Sequence, residues 1–307
     1  MSITAIFNAI PGAVEHGLIW GIMAIGLFIT YRVLNFADLT VDGSICTGAC
    51  TLTALMIGGV NVWLAMLLAF LAGALAGLVT GLFHTFMGIP AILSGILTQL
   101  MLWSINLKIL GKSNVALSSR TFSVIVTQLQ IPATIGVVVG FTACVIGLLY
   151  FFFGTELGSS IRATGNNEQM SRAQGINVSL NKIIGLMLSN GIVALSGALL
   201  AQYQGFADIN MGRGAIVIGL AAIIIGQAVV SQISRNFAVE LFGVAIGGVL
   251  YYVVYQIIIG LGLDTDLLKM LSALVVAVFL AVPYWKKKYF RLRQKSPTPL
   301  SGGDDNA

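Results

Sequence analysis

The chain has 307 residues, 57% of them hydrophobic and only 9% charged, with a formal net charge of +5 and a mean hydropathy of +0.96. A water-soluble domain carries nearer a quarter charged residues, because its surface must face water. These proportions exclude an ordinary soluble globule and make lipid the expected solvent.

The charges are also clustered. None occurs between Asp42 and Lys108, an interval of 65 residues, and further gaps run from Arg120 to Glu156, Lys182 to Asp208, Arg213 to Arg235 and Glu240 to Asp264. A helix needs about 20 apolar residues to cross a bilayer. Each later gap therefore holds one span. The first holds three, punctuated at Gly58-Gly59 with Asn61 and at Gly88-Ile89-Pro90.

Residues 3–14 are too short to span and predict an interfacial helix broken at Pro11-Gly12. They lack the basic stretch and cleavage pattern of a removable signal. Nine spans are then expected, near 16–32, 44–57, 62–83, 90–109, 131–153, 183–202, 215–232, 241–259 and 268–285. The runs are long and show no apolar/polar alternation, so helices are predicted rather than barrel strands. The fold class is thus an all-α polytopic membrane bundle with short or broken helices, occupying residues 1–290. Residues 291–307, with Pro, Gly and Asp-Asp, predict a disordered tail.

Orientation follows Lys and Arg. With the C-terminus inside, 11 of the 16 basic residues fall on the cytoplasmic side and the N-terminus lies outside. Tyr284, Trp285, Tyr289 and Phe290 would anchor the last span at the interface.

Few residues offer chemistry. His16 and His84 stand in no metal-ligand spacing, and Cys46 and Cys50 have no His or acid partner nearby. Gly111-Lys112-Ser113 ends like a phosphate-binding loop, but position 106 is Asn106 rather than glycine and the segment leaves a helix, not a strand. No cofactor, metal or nucleic acid is expected. Small residues recur at four-residue spacing, as Gly73, Gly77 and Gly81, Gly17 and Gly21, and Gly243 and Gly247, which suits tight helix packing in lipid.

Polar residues at membrane depth are functional candidates because they are expensive there. Asp38 and Asp42 stand one turn apart where the second span opens, six or more residues after Arg32. They could cap that helix, pair with Arg32, or gate a path or contact an ammonium group. Gln99, Trp103 and Asn106 share one face of the fourth span at i, i+4 and i+7. They suit either an aromatic amino acid or an interfacial anchor with polar contacts between helices. Asn35 and Gln227 complete the candidate path.

The longest cytoplasmic connection is 154–182. Within it Asn166 or Asn167 can N-cap, Glu168 suits a first turn, and Gly175 stops a helix of about eight residues. Such a helix is marginal alone, and Met170 with Ala173 supplies a narrow apolar stripe to hold it.

Thr155-Glu156-Leu157-Gly158, Arg162-Ala163, Gly165, Asn167, Ala173, Gly175-Ile176 and Lys182 resemble the cytoplasmic loop of ABC importer permeases for branched-chain amino acids and ribose. Gly21, Ala24, Gly26 and Leu27, then Asn35-Phe36-Ala37-Asp38, resemble that family's first span and following turn. Asp38-Leu39-Thr40-Val41-Asp42-Gly43-Ser44 and Ser104 to Gly111 resemble a sister group that pairs with lipoprotein-type binding proteins and is linked to tryptophan and tyrosine. The resemblance implies a non-catalytic homodimeric permease in a bacterial plasma (inner) membrane, served by a separate ABC ATPase and an extracytoplasmic binding protein. It also implies that 166–175 is the coupling helix, with Asn167, Glu168, Met170, Arg172, Ala173 and Gly175 toward the ATPase. The rival is an ion-coupled secondary transporter, which would carry mid-depth charge clusters and work alone.

Overall fold

The computed structural model describes residues 3–118, 122–230 and 236–260, with scattered helical positions between 270 and 281; side chains are described from residue 10 onward. The expected last span falls largely outside the described residues, as do its aromatic anchors and the tail 291–307.

Helix α1 (Ile3–Phe28) runs into a π-helical turn (Ile29–Val33), then an extended stretch leads to α2 (Val41–Ile57). There follow α3 (Val62–Thr85), α4 (Ala91–Leu110), β1 (Asn114–Ala116), α5 (Ile131–Gly154), α6 (Glu156–Asn166), α7 (Glu168–Ala173), α8 (Val178–Gln204), β2 (Phe206–Asp208), α9 (Ala215–Val230) and α10 (Phe237–Gly260). Among the described residues six helices are long and apolar enough to cross a membrane, while α2 and α9 are shorter apolar helices.

Burial sorts these helices into centre and rim. The most apolar stretches of α1 and α8 are 78% and 72% buried, against 28% and 22% for α4 and α5. The exposed faces of α4 and α5 carry Ile92, Leu100, Leu148 and Phe151, as lipid-facing helices should. Around α8 the contacts are made backbone to backbone. A methyl group at Gly77 of α3 would overlap the Leu186 carbonyl oxygen, and one at Gly197 of α8 would overlap that of Ile45 on α2. Gly17 and Gly21 likewise admit α10 at Val249 and Ala245, and Gly247 of α10 admits α9 at Ala222. The spaced glycines therefore serve packing within this one bundle.

α1 corrects one expectation. The helix passes through Pro11 without a break, so residues 3–14 belong to α1 rather than to a separate broken helix, and the membrane-length apolar stretch begins at Ile10. Neighbouring helices make proline tolerable at such a position, and here α10 and α8 clasp the following turns.

The ends of the bundle differ. At one end β1 pairs antiparallel with β2, Asn114 opposite Asp208 and Ala116 opposite Phe206. That ladder ties the chain after α4 to the chain after α8, with left-handed Gly111 and Gly205 closing the two helices. At the other end lie α6 and α7. Gly165 there is so close to Val33 and Leu34 that no side chain fits between them.

Candidate functional site

The extended stretch from Leu34 to Thr40 positions the site. The π-helical turn closes with bonds from the Leu34 and Phe36 N–H groups to the Ile29 and Thr30 carbonyls, 2.9 and 2.8 Å, a geometry common at functional sites. Asn35 then adopts φ +52°, the one positive φ outside glycine among the described residues. The chain is thereby turned back into the bundle, and α2 begins at depth rather than at the surface.

The depth can be read from α8. Ser44 Oγ donates to Asn190 Oδ1 at 2.6 Å, and Asn190 Nδ2 donates to Asp38 Oδ2 at 2.7 Å. Asn190 is the thirteenth residue of a 27-residue helix, so α2 starts near mid-bundle. Asp38 is 1% exposed; its Oδ1 accepts from the Thr40 N–H at 2.9 Å, ordering the turn that opens α2. Asp38 thus orders the turn before α2 and holds Asn190, while Thr40, the N-cap of α2, receives no side-chain cap.

Asp42 corrects the other half of that expectation. Its carboxylate serves α9, not α2: Oδ2 accepts from the Gly214 N–H at 3.0 Å and Oδ1 from the Ile216 N–H at 2.9 Å. The free N–H groups and dipole of a helix start favour a carboxylate. Here the carboxylate comes from 172 residues away. Cys46, one turn further on, accepts the Gly212 N–H at 3.2 Å. Neither aspartate pairs with Arg32. The N-terminal ends of two short helices thus converge inside the bundle, an arrangement by which membrane transporters place binding sites.

Beside this junction is a cavity of about 190 Å³ lined by Asp42, Cys46, Gln99, Trp103, Asn106 and Arg213. The three α4 residues picked out by their spacing do share one face, and that face looks onto the cavity. The indole of Trp103 is 43% exposed. Asn106 is fully buried, yet neither its Nδ2 nor its Oδ1 has a hydrogen-bond partner. An unpaired buried amide costs about 1–3 kcal/mol, which makes this carboxamide a candidate recognition group. Gln227 stands apart, half-buried on α9 and outside the cavity wall. Asn35 lines a different cavity, at the α6 and α7 end.

Sequence reasoning missed Arg213 and Asn190. Arg213 sits in a loop whose return to depth has no periodic signal. Asn190 stood in plain view as a lone amide in the middle of a span, which is a functional signal in itself.

In the 154–182 connection Asn167 is the cap, its Oδ1 accepting from the Met170 N–H at 3.0 Å, and Gly175 follows the helix at φ +80°. The helix has six residues rather than eight, and an 11-residue helix, α6, precedes it. The apolar stripe of Met170 and Ala173 is not packed against the rest of the chain. Met170 is 60% exposed and Ala173 is also exposed. α7 is held instead by buried Ser171, whose carbonyl accepts from the Ile176 N–H, and by an ion pair from Glu168 to Lys182. Arg172 is exposed. Lys182 Nζ also lies 3.2 Å from His84 Nε2. Lysine can only donate, so Nε2 accepts and Nδ1 carries the proton that bonds the Ile89 carbonyl at 2.9 Å.

Residues 13–282 match the family described as "Branched-chain amino acid transport system / permease component". The chain is 40% identical over 274 residues to the tyrosine transport system permease protein of Clostridioides difficile (strain R20291), covering 89% of this chain and 91% of that one. It is 31% identical over 276 residues to an uncharacterized protein of Rickettsia prowazekii (strain Madrid E), covering 89% and 97%. A nucleoside ABC transporter permease protein of Lactococcus lactis is 29% identical over 247 residues, covering 74% and 70%. Among solved structures, PsaBC from Streptococcus pneumoniae in complex with Fab superposes with a TM-score of 0.52 at 17% identity, over 93% of this chain and 94% of that one. That likeness is one of fold.

Proposed function

This chain belongs to the permease-component family of branched-chain amino acid transport systems, and from that footing we propose that it forms the translocation path of an ATP-driven importer for an amino acid, with aromatic side chains preferred. It works as a homodimer. Each copy docks one soluble ABC ATPase on its cytoplasmic side and receives cargo from an extracytoplasmic binding protein. The permease itself catalyses no reaction. Its setting is a bacterial plasma membrane, with the N-terminus outside and the C-terminus inside.

The observation that carries this reading is the cavity beside the α2 and α9 junction. A free carboxamide on Asn106, a half-exposed indole on Trp103 and the Arg213 guanidinium surround one small space. Arg213 suits a carboxylate, Trp103 an aromatic ring, and Asn106 a polar group on either. The tyrosine permease relative supports the same cargo class.

Coupling runs through α7. Its exposed face, Met170, Arg172 and Ala173, meets the ATPase, while Asn167 and Gly175 fix its ends. Glu168 faces back to Lys182, so it fastens the lever rather than gripping the motor. ATPase closure pushes α6 and α7, Gly165 presses on Val33 and Leu34, and the stretch to Asp42 moves with them.

Reconstitution in liposomes with the ATPase and binding protein tests the proposal. Uptake of L-tyrosine or L-tryptophan is expected with ATP and absent with a proton or sodium gradient alone. Uptake driven by the gradient without any ATPase would overturn it in favour of a secondary transporter.

A further inference from the structure

A second cavity, of about 660 Å³, opens at the end of the bundle where α6 and α7 lie. Its charged lining is Arg32 from the π-helical turn, Arg162 from α6 and Glu240 from the first turn of α10. Its rings are Phe28, Tyr31 and Phe237, and two amides, Asn35 and Asn166, complete the rim.

The charges are not equivalent. Arg162 is already engaged: Nη2 donates to the Phe153 carbonyl at 2.6 Å, and the guanidinium lies 5.9 Å from the Phe237 ring. It is a fixed part of the wall. Arg32 and Glu240, by contrast, have no ion-pair partner among the described residues. They come from different helices and bring opposite charge to one aromatic-walled space. A purely anionic ligand would meet Glu240 as a repulsive neighbour, and a purely cationic one would meet two arginines. A molecule with one carboxylate, one ammonium and a flat ring satisfies all three features.

We infer that this cavity is a second binding station, taking a free aromatic α-amino acid with its carboxylate on Arg32 and its ammonium on Glu240. The inference rests on the transport function proposed above and adds to it a release-side site distinct from the one at Trp103. Asn35 and Asn166 supply amide groups at the rim, and the rings of Phe28 and Phe237 hold the side chain.

The test is equilibrium binding of radiolabelled L-tyrosine to the purified full-length permease, with competition by tyramine, which lacks the carboxylate, and 3-(4-hydroxyphenyl)propionate, which lacks the ammonium. Both analogues should compete roughly tenfold to a hundredfold more weakly than unlabelled tyrosine, the range expected for losing one charged hydrogen-bonded contact. In an Arg213→Gln background, which removes the carboxylate partner of the other cavity, Arg32→Gln should erase the discrimination against tyramine, and Glu240→Gln that against the propionate. Equal binding of tyrosine and the propionate by the unmodified protein would overturn the inference. So would absence of tyrosine binding, or full discrimination in both charge variants with an unchanged Tm. These results leave ATP-driven uptake untouched; failure of uptake in the reconstituted system would instead remove the transport reading on which the site rests.

Discussion

The block of α2, α3 and α8 and the arm of α6 and α7 are held by opposite means. In the block, glycines let backbones touch, hydroxyls interlock from Thr40 to Thr80 to Thr98 at 2.7 and 2.9 Å, and Asn190 bridges Asp38 to Ser44. The arm is fastened mainly by polar contacts: an ion pair, two side-chain caps, bonds from Asn181 Nδ2 to Ser160 and Thr164 and from Arg162 to the Phe153 carbonyl, with close contacts at Gly158 and Gly165. Close packing stores shape, because almost any displacement overlaps atoms. A short helix on polar fastenings can be displaced without unpacking the block, while the contact at Gly165 passes the displacement to Val33 and Leu34. The difference suits the proposed division between a part that keeps its form and a part that receives a push.

Substitutions can break that contrast. The largest effect is expected from Gly77→Val, which drives a branched side chain into the Leu186 carbonyl. Overpacking costs about 1–3 kcal/mol and often more, so the Tm of the purified protein should drop by several degrees or the protein should fail to be recovered. An unchanged Tm would mean α3 and α8 are not interlocked. Next comes Asp42→Ala, which strips the start of α9 of both acceptors. A lost cap costs about 0.5–2 kcal/mol, visible as a lower Tm, and uptake should cease; Asp42→Asn should retain part of both.

The arm should respond in the reverse way. Ala173→Glu places a charge on an exposed face, so the Tm should hold while stimulation of the partner ATPase is lost; normal stimulation would displace α7 from the docking role. The smallest effect is expected of Lys182→Ala. Its partner Glu168 is 39% exposed, and such pairs contribute about 0–1 kcal/mol. The Tm should barely move, and ATPase stimulation should fall roughly threefold, equivalent to ~0.7 kcal/mol. A large Tm loss would show the arm to be part of the packed block after all.

What could be read from the sequence follows from the range of each interaction. The face of Gln99, Trp103 and Asn106 was visible because helical periodicity is local. So was the cap at Asn167, set by residues three apart. The partner of Asp42 was invisible, since nothing near residue 42 announces that Gly214 and Ile216 will need acceptors. Pro11 misled for a related reason: its local preference for a break was outweighed by α10 packing against the next turns. Met170 and Ala173 were apolar as expected, but a spacing cannot say which neighbour a stripe faces. The two short spans were legible as short, and only the fold reveals that their starts meet.

Leu34 to Thr40 is a cord of seven residues, at most about 25 Å even if drawn taut. Asn35 at its lower end borders one chamber, and Asp42 just past its upper end borders the other. On the proposed mechanism, tension applied at the bottom is expected to arrive at the top, gearing the filling of one chamber to the emptying of the other. If so, lengthening the cord by a few glycines should put slack in the gear, so that in the reconstituted system ATP is hydrolysed without uptake.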